Sequence, residues 1–175
     1  NLEYRMRHKD GSWRTLESSG AAIRNERGEV EKFVLVARDI TARKQAEAAA
    51  RESGERLRSL IANIPGAVYR CTPPPERRIE FVSELIWELS GHASTDFLED
   101  RTQSFASITH PDDFPRVQAA IQEGLSRRLP YVADYRVVRH DGTLRWVHEK
   151  GQAVFDLEGN VSWLDGVIFD ISGSM

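Results

Sequence analysis

The sequence predicts an α+β chain. A five-stranded antiparallel sheet carries short helices on one face, and a partial three-stranded sheet and a linker helix precede it. Three observations predict this. Residues 3–41 slide onto 134–172 without a gap over 39 positions, 12 of them identical. Within both copies, β-branched and aromatic residues alternate between turn residues. Between the copies lies a proline-free stretch rich in Ala, Glu, Arg and Leu, which reads as a helix.

The identities fall where the backbone is demanding. Asp10-Gly11 and Asp141-Gly142 suit the positive φ angles of a tight hairpin, and Gly28 and Gly159 mark a second turn about 17 residues later. Each copy therefore reads as three antiparallel strands joined by two hairpins. A three-stranded meander has a face to bury and needs a second layer to bury it against. Residues 57–133 supply candidates for the second copy. The first copy has none upstream in these residues, which suggests a tandem array whose first unit is cut through its middle. Leu16, Phe33 and Leu35 are accordingly expected to take cover from the linker helix or a second chain.

The stretch from Thr41 to about Asn63 is the linker helix, with Thr41 placed to cap it. Ala46, Ala50, Ser53, Leu57, Leu60 and Ile64 are spaced as a coiled-coil seam; the same apolar residues also suit a surface helix packed on its own domain. Pro65-Gly66 ends it. Residues 67–72 alternate as a strand, "TPPPERR" is a loop, and a second strand starts at Ile79. Ser83 is placed to cap a short helix closed by Gly91, and 94–100 and 103–108 read as helical turns. A longer helix runs from Phe114 to about Arg127, with Asp112 or Asp113 as its cap and Val117, Ala120, Ile121 and Leu125 as its apolar stripe.

Composition bounds the function. The 175 residues are 40% hydrophobic and 29% charged with a net charge of −3, ordinary values for a globular protein. That balance, without a large Lys/Arg block, argues against a nucleic-acid partner. No apolar run approaches the ~18 residues of a membrane span, so no membrane contact is expected of these residues, although the parent protein has room for an anchor elsewhere. A lone cysteine, Cys71, suits a reducing, cytoplasmic compartment. There is no Gly-rich phosphate loop, nucleophile elbow or paired Cys and His at metal spacing, so neither catalytic residues nor a metal site are predicted. His110, Asp112 and Asp113 read as a helix start rather than ligands.

With order and motifs together, residues 57–172 resemble a complete PAS domain, the sensory module of bacterial signalling proteins. Residues 1–41 resemble the C-terminal half of another, the PAC motif, and 42–56 the linker between them. The resemblance rests on "SGHASTDFL", "ITHPDDFPRV", the hairpin "RHDGTLRWV" and the closing Asp-Ile-Thr of 39–41, which returns as Asp-Ile-Ser at 170–172. It implies a PAS-like five-stranded sheet with helices cupped over one face. It also implies a non-catalytic sensory and dimerisation module, most naturally of a sensor histidine kinase in a two-component system. The alternatives are the PAS region of a diguanylate cyclase, or a scaffold that binds only protein. Asp39, Thr41, Asp170 and Ser172 would relay the state of each domain into the helix that follows it.

PAS domains can hold haem, flavin or metabolites. The cysteine motif of photoactive flavin versions is absent, since Cys71 lies in a strand, and the long helix has no histidine for haem iron. No cofactor is predicted, and a non-covalent flavin or small organic ligand stays open. Strand alternation places Tyr135, Val137, Val147, Glu149, Leu164, Gly166 and Ile168 on the helix-facing side, with Val117 and Ile121 opposite, as a ligand pocket or a packed core. An inward carboxylate at Glu149 needs a partner. The outer face would show Trp146, His148, Trp163, Val167 and Phe169, enough aromatic surface to want a covering helix or, with the linker helix, a homodimer partner.

Overall fold

The computed structural model describes residues 1–99 and 101–174. The strands β1 (Leu2–Arg7), β2 (Trp13–Arg24) and β3 (Val30–Asp39) form an antiparallel meander in the order β1-β2-β3. Helix α1 (Thr41–Ala62) follows. The rest of the chain runs β4 (Ala67–Cys71), β5 (Ile79–Val82), α2 (Ile86–Ser90), α3 (Ser94–Leu98), α4 (Phe105–Ile108), α5 (Phe114–Arg127), β6 (Tyr131–Val138), β7 (Leu144–Phe155) and β8 (Val161–Asp170). Its five strands are ordered β5-β4-β8-β7-β6, all antiparallel, and a short 3-10 turn at Ser172–Ser174 ends it. Residues 1–58 and 59–175 form two compact units.

The repeat is a repeat of geometry. Gly11 and Gly142 take φ of 89° and 81°, and Gly28 and Gly159 take 79° and 85°, the left-handed region that a side chain would strain. Tyr4 pairs with Leu16 as Tyr135 pairs with Val147, and Gly20 with Leu35 as Gly151 with Gly166. Even the register shift recurs, between Ile23 and Arg24 in one copy and between Val154 and Phe155 in the other. A bulge tied to neither copy's surroundings belongs to the ribbon itself.

In the second unit the inner sheet face closes against α2, α3, α4 and α5. Ile86, Phe97, Ile108, Val117 and Ile121 meet Tyr69, Val137, Val147, Leu164 and Ile168 in one buried core. On the outer face Trp146, His148, Trp163, Val167 and Phe169 are half-buried. Arginines supply part of that cover: Arg70 lies 5.5 Å from the Trp163 ring centroid and Arg136 lies 5.6 Å from that of Trp146. Each is held by a paired carboxylate, Asp165 and Asp113 respectively.

The first unit departs from expectation. Phe33 and Leu35 are 72% and 73% exposed, so the linker helix does not cover them, whereas Leu16 is half-buried. The reason is where α1 touches this sheet. Its contacts lie at its first turn, through Ile40, Thr41 and the Lys44–Glu3 ion pair at 2.9 Å, and no residue of the helix is buried.

Three caps also differ. The Thr41 hydroxyl accepts from the Thr15 backbone N–H at 2.8 Å instead of capping its own helix. Ser83 accepts from the Val68 N–H at 2.9 Å, binding β4, and α2 starts later than expected. Asp113 does precede α5, but its carboxylate is taken by Arg136 rather than by helix N–H groups. In each case a partner distant in sequence outcompetes the local one.

Candidate functional site

Every side chain placed inward by strand alternation is buried in the second unit: Tyr135, Val137, Val147, Glu149, Leu164 and Ile168 from the sheet, with Val117 and Ile121 from α5. Gly166 lies on the same face, half-buried. The space over the sheet holds a polar cluster built on Glu149, which is 1% exposed. Its Oε1 accepts from the Tyr69 hydroxyl and from Arg77 Nη2 at 3.0 Å. Its Oε2 accepts from the Tyr135 hydroxyl at 2.7 Å. The Tyr131 and Tyr69 hydroxyls are 2.6 Å apart. Since the single Tyr69 proton goes to Glu149, Tyr131 donates to Tyr69.

The carboxylate thus has the partners that burial demands, and removing one partner of such a pair costs about 3–5 kcal/mol. Burial, then the charge of Glu149, push the phenols of Tyr69, Tyr135 and Tyr131 above the usual range, so all three stay protonated donors at neutral pH. For Arg77, burial alone would lower the guanidinium; the Glu149 carboxylate overrides it and holds the group well above the ordinary arginine value.

Two glycines make room for the rings. Gly151 and Gly166 are direct partners across β7 and β8. A Cβ on Gly166 would run into the Tyr69 hydroxyl, and one on Gly151 into that of Tyr131. The residues expected to line a pocket therefore enclose tyrosine side chains. In the first unit the cluster has a neutral counterpart: Tyr4 and Ser18, at the positions of Tyr135 and Glu149, join hydroxyl to hydroxyl at 2.8 Å.

Sequence reasoning missed Tyr69, Tyr131 and Arg77. The two tyrosines were findable, because they share the alternation phase of Ala67 and Cys71 and of Ala133 and Tyr135. Arg77 gave no signal. It sits in the proline-rich loop, at a φ of 44°, and lies 4.8 Å from the Phe105 ring centroid.

The relay residues share three hydrogen bonds at the ends of the two meanders and differ in where the hydroxyl donates, Thr41 to Asp39 Oδ1 and Ser172 to the Trp146 carbonyl at 3.4 Å. Asp39 Oδ1 accepts from the Thr41 N–H at 2.9 Å, as Asp170 Oδ1 accepts from the Ser172 N–H at 2.8 Å. The hydroxyls of Thr41 and Ser172 accept from the N–H groups of Thr15 and Trp146 at 2.8 and 2.9 Å. Ile40 and Ile171 donate to the carbonyls of those same two residues, both at 2.9 Å. Their own hydrogen bonds lower the carboxyl of Asp39; for Asp170 burial opposes this, and the Ser172 bonds still leave it lowered.

Comparison with known proteins places this geometry. The family model described as the PAS fold matches residues 1–37 and 79–168. The methyl sulfide methyltransferase-associated sensor of Methanosarcina acetivorans is 28% identical over 174 residues, covering 97% of this chain and 17% of that protein. This chain spans about a fifth of the length of the curated relatives it matches. A sensory box histidine kinase/response regulator structure from Burkholderia thailandensis is 25% identical, with a TM-score of 0.54 over 68% of this chain and 86% of that one. The N-terminal domain of a diguanylate cyclase with PAS/PAC sensor from Marinobacter aquaeolei, 24% identical, shares the fold with a TM-score of 0.54 over 62% and 97%.

Proposed function

Because this chain belongs to the PAS fold family, whose domains are sensory parts of signalling proteins, we propose that it is a sensory and dimerisation region of a sensor histidine kinase. It passes the state of each domain into the helix that follows. The observation that carries this reading is the duplicated exit. Asp39-Ile40-Thr41 and Asp170-Ile171-Ser172 each bind the start of a helical segment to the neighbouring central strand through the same two hydrogen bonds, and a third, from the Thr41 or Ser172 N–H to the Asp carboxylate, closes the turn itself. A segment rooted in that way follows the strand when the sheet shifts.

The likeness to the Burkholderia kinase and to a sensor of 28% identity supports the choice of parent. A diguanylate cyclase is the alternative parent and differs in the output domain. The three segment assignments follow the repeat: 1–41 as a C-terminal half, 42–56 as linker and 57–172 as a complete unit. Leu57 and Leu60, both 58% exposed on α1, support a homodimer along the linker, extended by the outer sheet face. The lone buried Cys71 suits a cytoplasmic setting, and among the described residues no helix is long and apolar enough to cross a membrane.

A protein-binding scaffold is the second reading, and one observation favours it: tyrosine rings occupy the notch over Gly151 and Gly166. The test uses the full-length parent. Thr41→Val and Ser172→Ala should change its autophosphorylation rate, or cyclic dinucleotide synthesis in the alternative parent, while the protein stays folded. Output untouched by both changes would overturn the relay.

A further inference from the structure

Arg77 carries five N–H donors and uses few of them. Nη2 is engaged by Glu149, while Nε is buried and has no partner among the described residues. A buried donor left unmatched is costly, and a guanidinium presents its donors in a planar fork that suits a carboxylate. The same arginine lines a cleft of about 30 Å³ between the 73–77 loop, α4 and the start of α5. Phe105, Phe114 and Val117 supply an apolar wall, and Glu76, Ser104, Thr109 and Gln118 join Arg77 in the polar lining.

We propose that this cleft is a binding site for a small monocarboxylate, whose anionic end pairs with the free side of Arg77 and whose apolar part lies against Phe105, Phe114 and Val117. Three features select that class. The carboxylate of Glu149 already pairs with Nη2 of the same guanidinium, so the group is one that accepts a carboxylate partner. One wall, formed by Phe105, Phe114 and Val117, is apolar and gives a short hydrocarbon tail a surface to lie against. Glu76 in the lining repels a doubly charged anion such as phosphate more strongly than a single carboxylate.

The present volume holds about one water-sized group, so the loop must move outward as the ligand enters. The loop is closed at its base by two bonds, Thr72 N–H to the Arg78 carbonyl and Arg78 N–H to the Thr72 hydroxyl, both outside the segment that has to yield. A ligand held there would bear on Glu149 through Arg77. Glu149 lies three residues from Trp146 on β7, and the Trp146 N–H donates to the Ser172 hydroxyl. This consequence rests on the sensory reading; the binding itself does not.

The experiment titrates the full 175-residue chain with butyrate and benzoate, with the neutral isosteres butyramide and benzamide, and with inorganic phosphate, followed by calorimetry and by backbone amide shifts. Each carboxylate should bind at least tenfold tighter than its amide and than phosphate, with shifts centred on 73–78 and 104–118. In the Arg77→Gln/Glu149→Gln double variant, which leaves neither charge unpaired, that preference should disappear. Equal affinity for acid and amide, phosphate binding as tightly, no binding at all, or shifts elsewhere would each overturn the site. Should the double variant fail to fold, the wild-type shift map and the acid-to-amide ratio still decide. Loss of this site would leave the output test on Thr41 and Ser172 standing, and failure of that test would leave this one intact.

Discussion

Ser172 accepts a hydrogen bond from the Trp146 backbone N–H at 2.9 Å, and Thr41, 131 residues earlier, does the same for Thr15 at 2.8 Å. In both copies the acceptor is the first residue beyond the last strand's Asp-Ile pair. The helix root is therefore attached to the middle strand of the ribbon rather than to the strand it leaves.

That attachment is measurable apart from any output. Thr41→Val keeps the shape and removes the acceptor, leaving the Thr15 N–H without its partner. The change should cost about 1 kcal/mol, or roughly 2–4 °C in Tm for a protein of this size. Amide exchange at Thr15 should accelerate, while exchange at Trp146 in the other copy stays as it was. Unchanged protection at Thr15 would mean that the hydroxyl is not its partner.

The Asp113–Arg136 pair predicts an acid dependence. Asp113 is buried, its carboxylate takes three hydrogen bonds from Arg136, and these hold its carboxyl well below the usual range. A carboxyl lowered in the folded state stabilises the fold fully above the unfolded value near 4 and loses that contribution as pH falls towards the lowered value. Thermal unfolding from pH 6 down to pH 2 should therefore show Tm falling below about pH 4, and Asp113→Asn should flatten part of that fall. A variant with the parent's full acid slope would place the titration elsewhere.

Much of this architecture was legible beforehand, and the misses share a cause. Period-two alternation is a property of the strand itself, so it placed Tyr135, Val147 and Glu149 on the inner face without knowledge of their neighbours. Turn glycines are equally local, and all four landed at positive φ. Thr41, Ser83 and Asp113 were assigned to nearby helix ends because local rules rank local partners. The fold gave each of them a partner 15 to 26 residues away. Arg77 was invisible for the complementary reason. An irregular loop has no period, so nothing in "TPPPERR" says which charged side chain turns inward.

The glycine notch gives a coupled prediction. Gly151→Ala drives a methyl group against the Tyr131 hydroxyl and should cost about 1–3 kcal/mol. Tyr131→Phe alone removes one hydrogen bond to Tyr69, about 1 kcal/mol. Combined, the second change relieves part of the clash, so the double variant should lose less stability than the two single losses added. Denaturant midpoints of the four proteins settle it, and strict additivity would mean that the methyl and the hydroxyl never meet.

The bare face of the first ribbon gives the remaining prediction. Phe33 and Leu35 are each more than 70% exposed, and they stand opposite Ala22 and Gly20 on β2. The matching positions of the second ribbon, Leu164 and Gly166, lie beneath a packed core. Exposed side chains contribute little to folding whatever their hydrophobicity, because they leave water neither before nor after the chain folds. The paired change Phe33→Ser and Leu35→Thr should therefore shift unfolding by no more than about 0.5 kcal/mol, while reducing the fluorescence of a dye that binds apolar surface. A loss of 2 kcal/mol or more, or a fall in apparent mass on a sizing column, would show that this face is covered in solution.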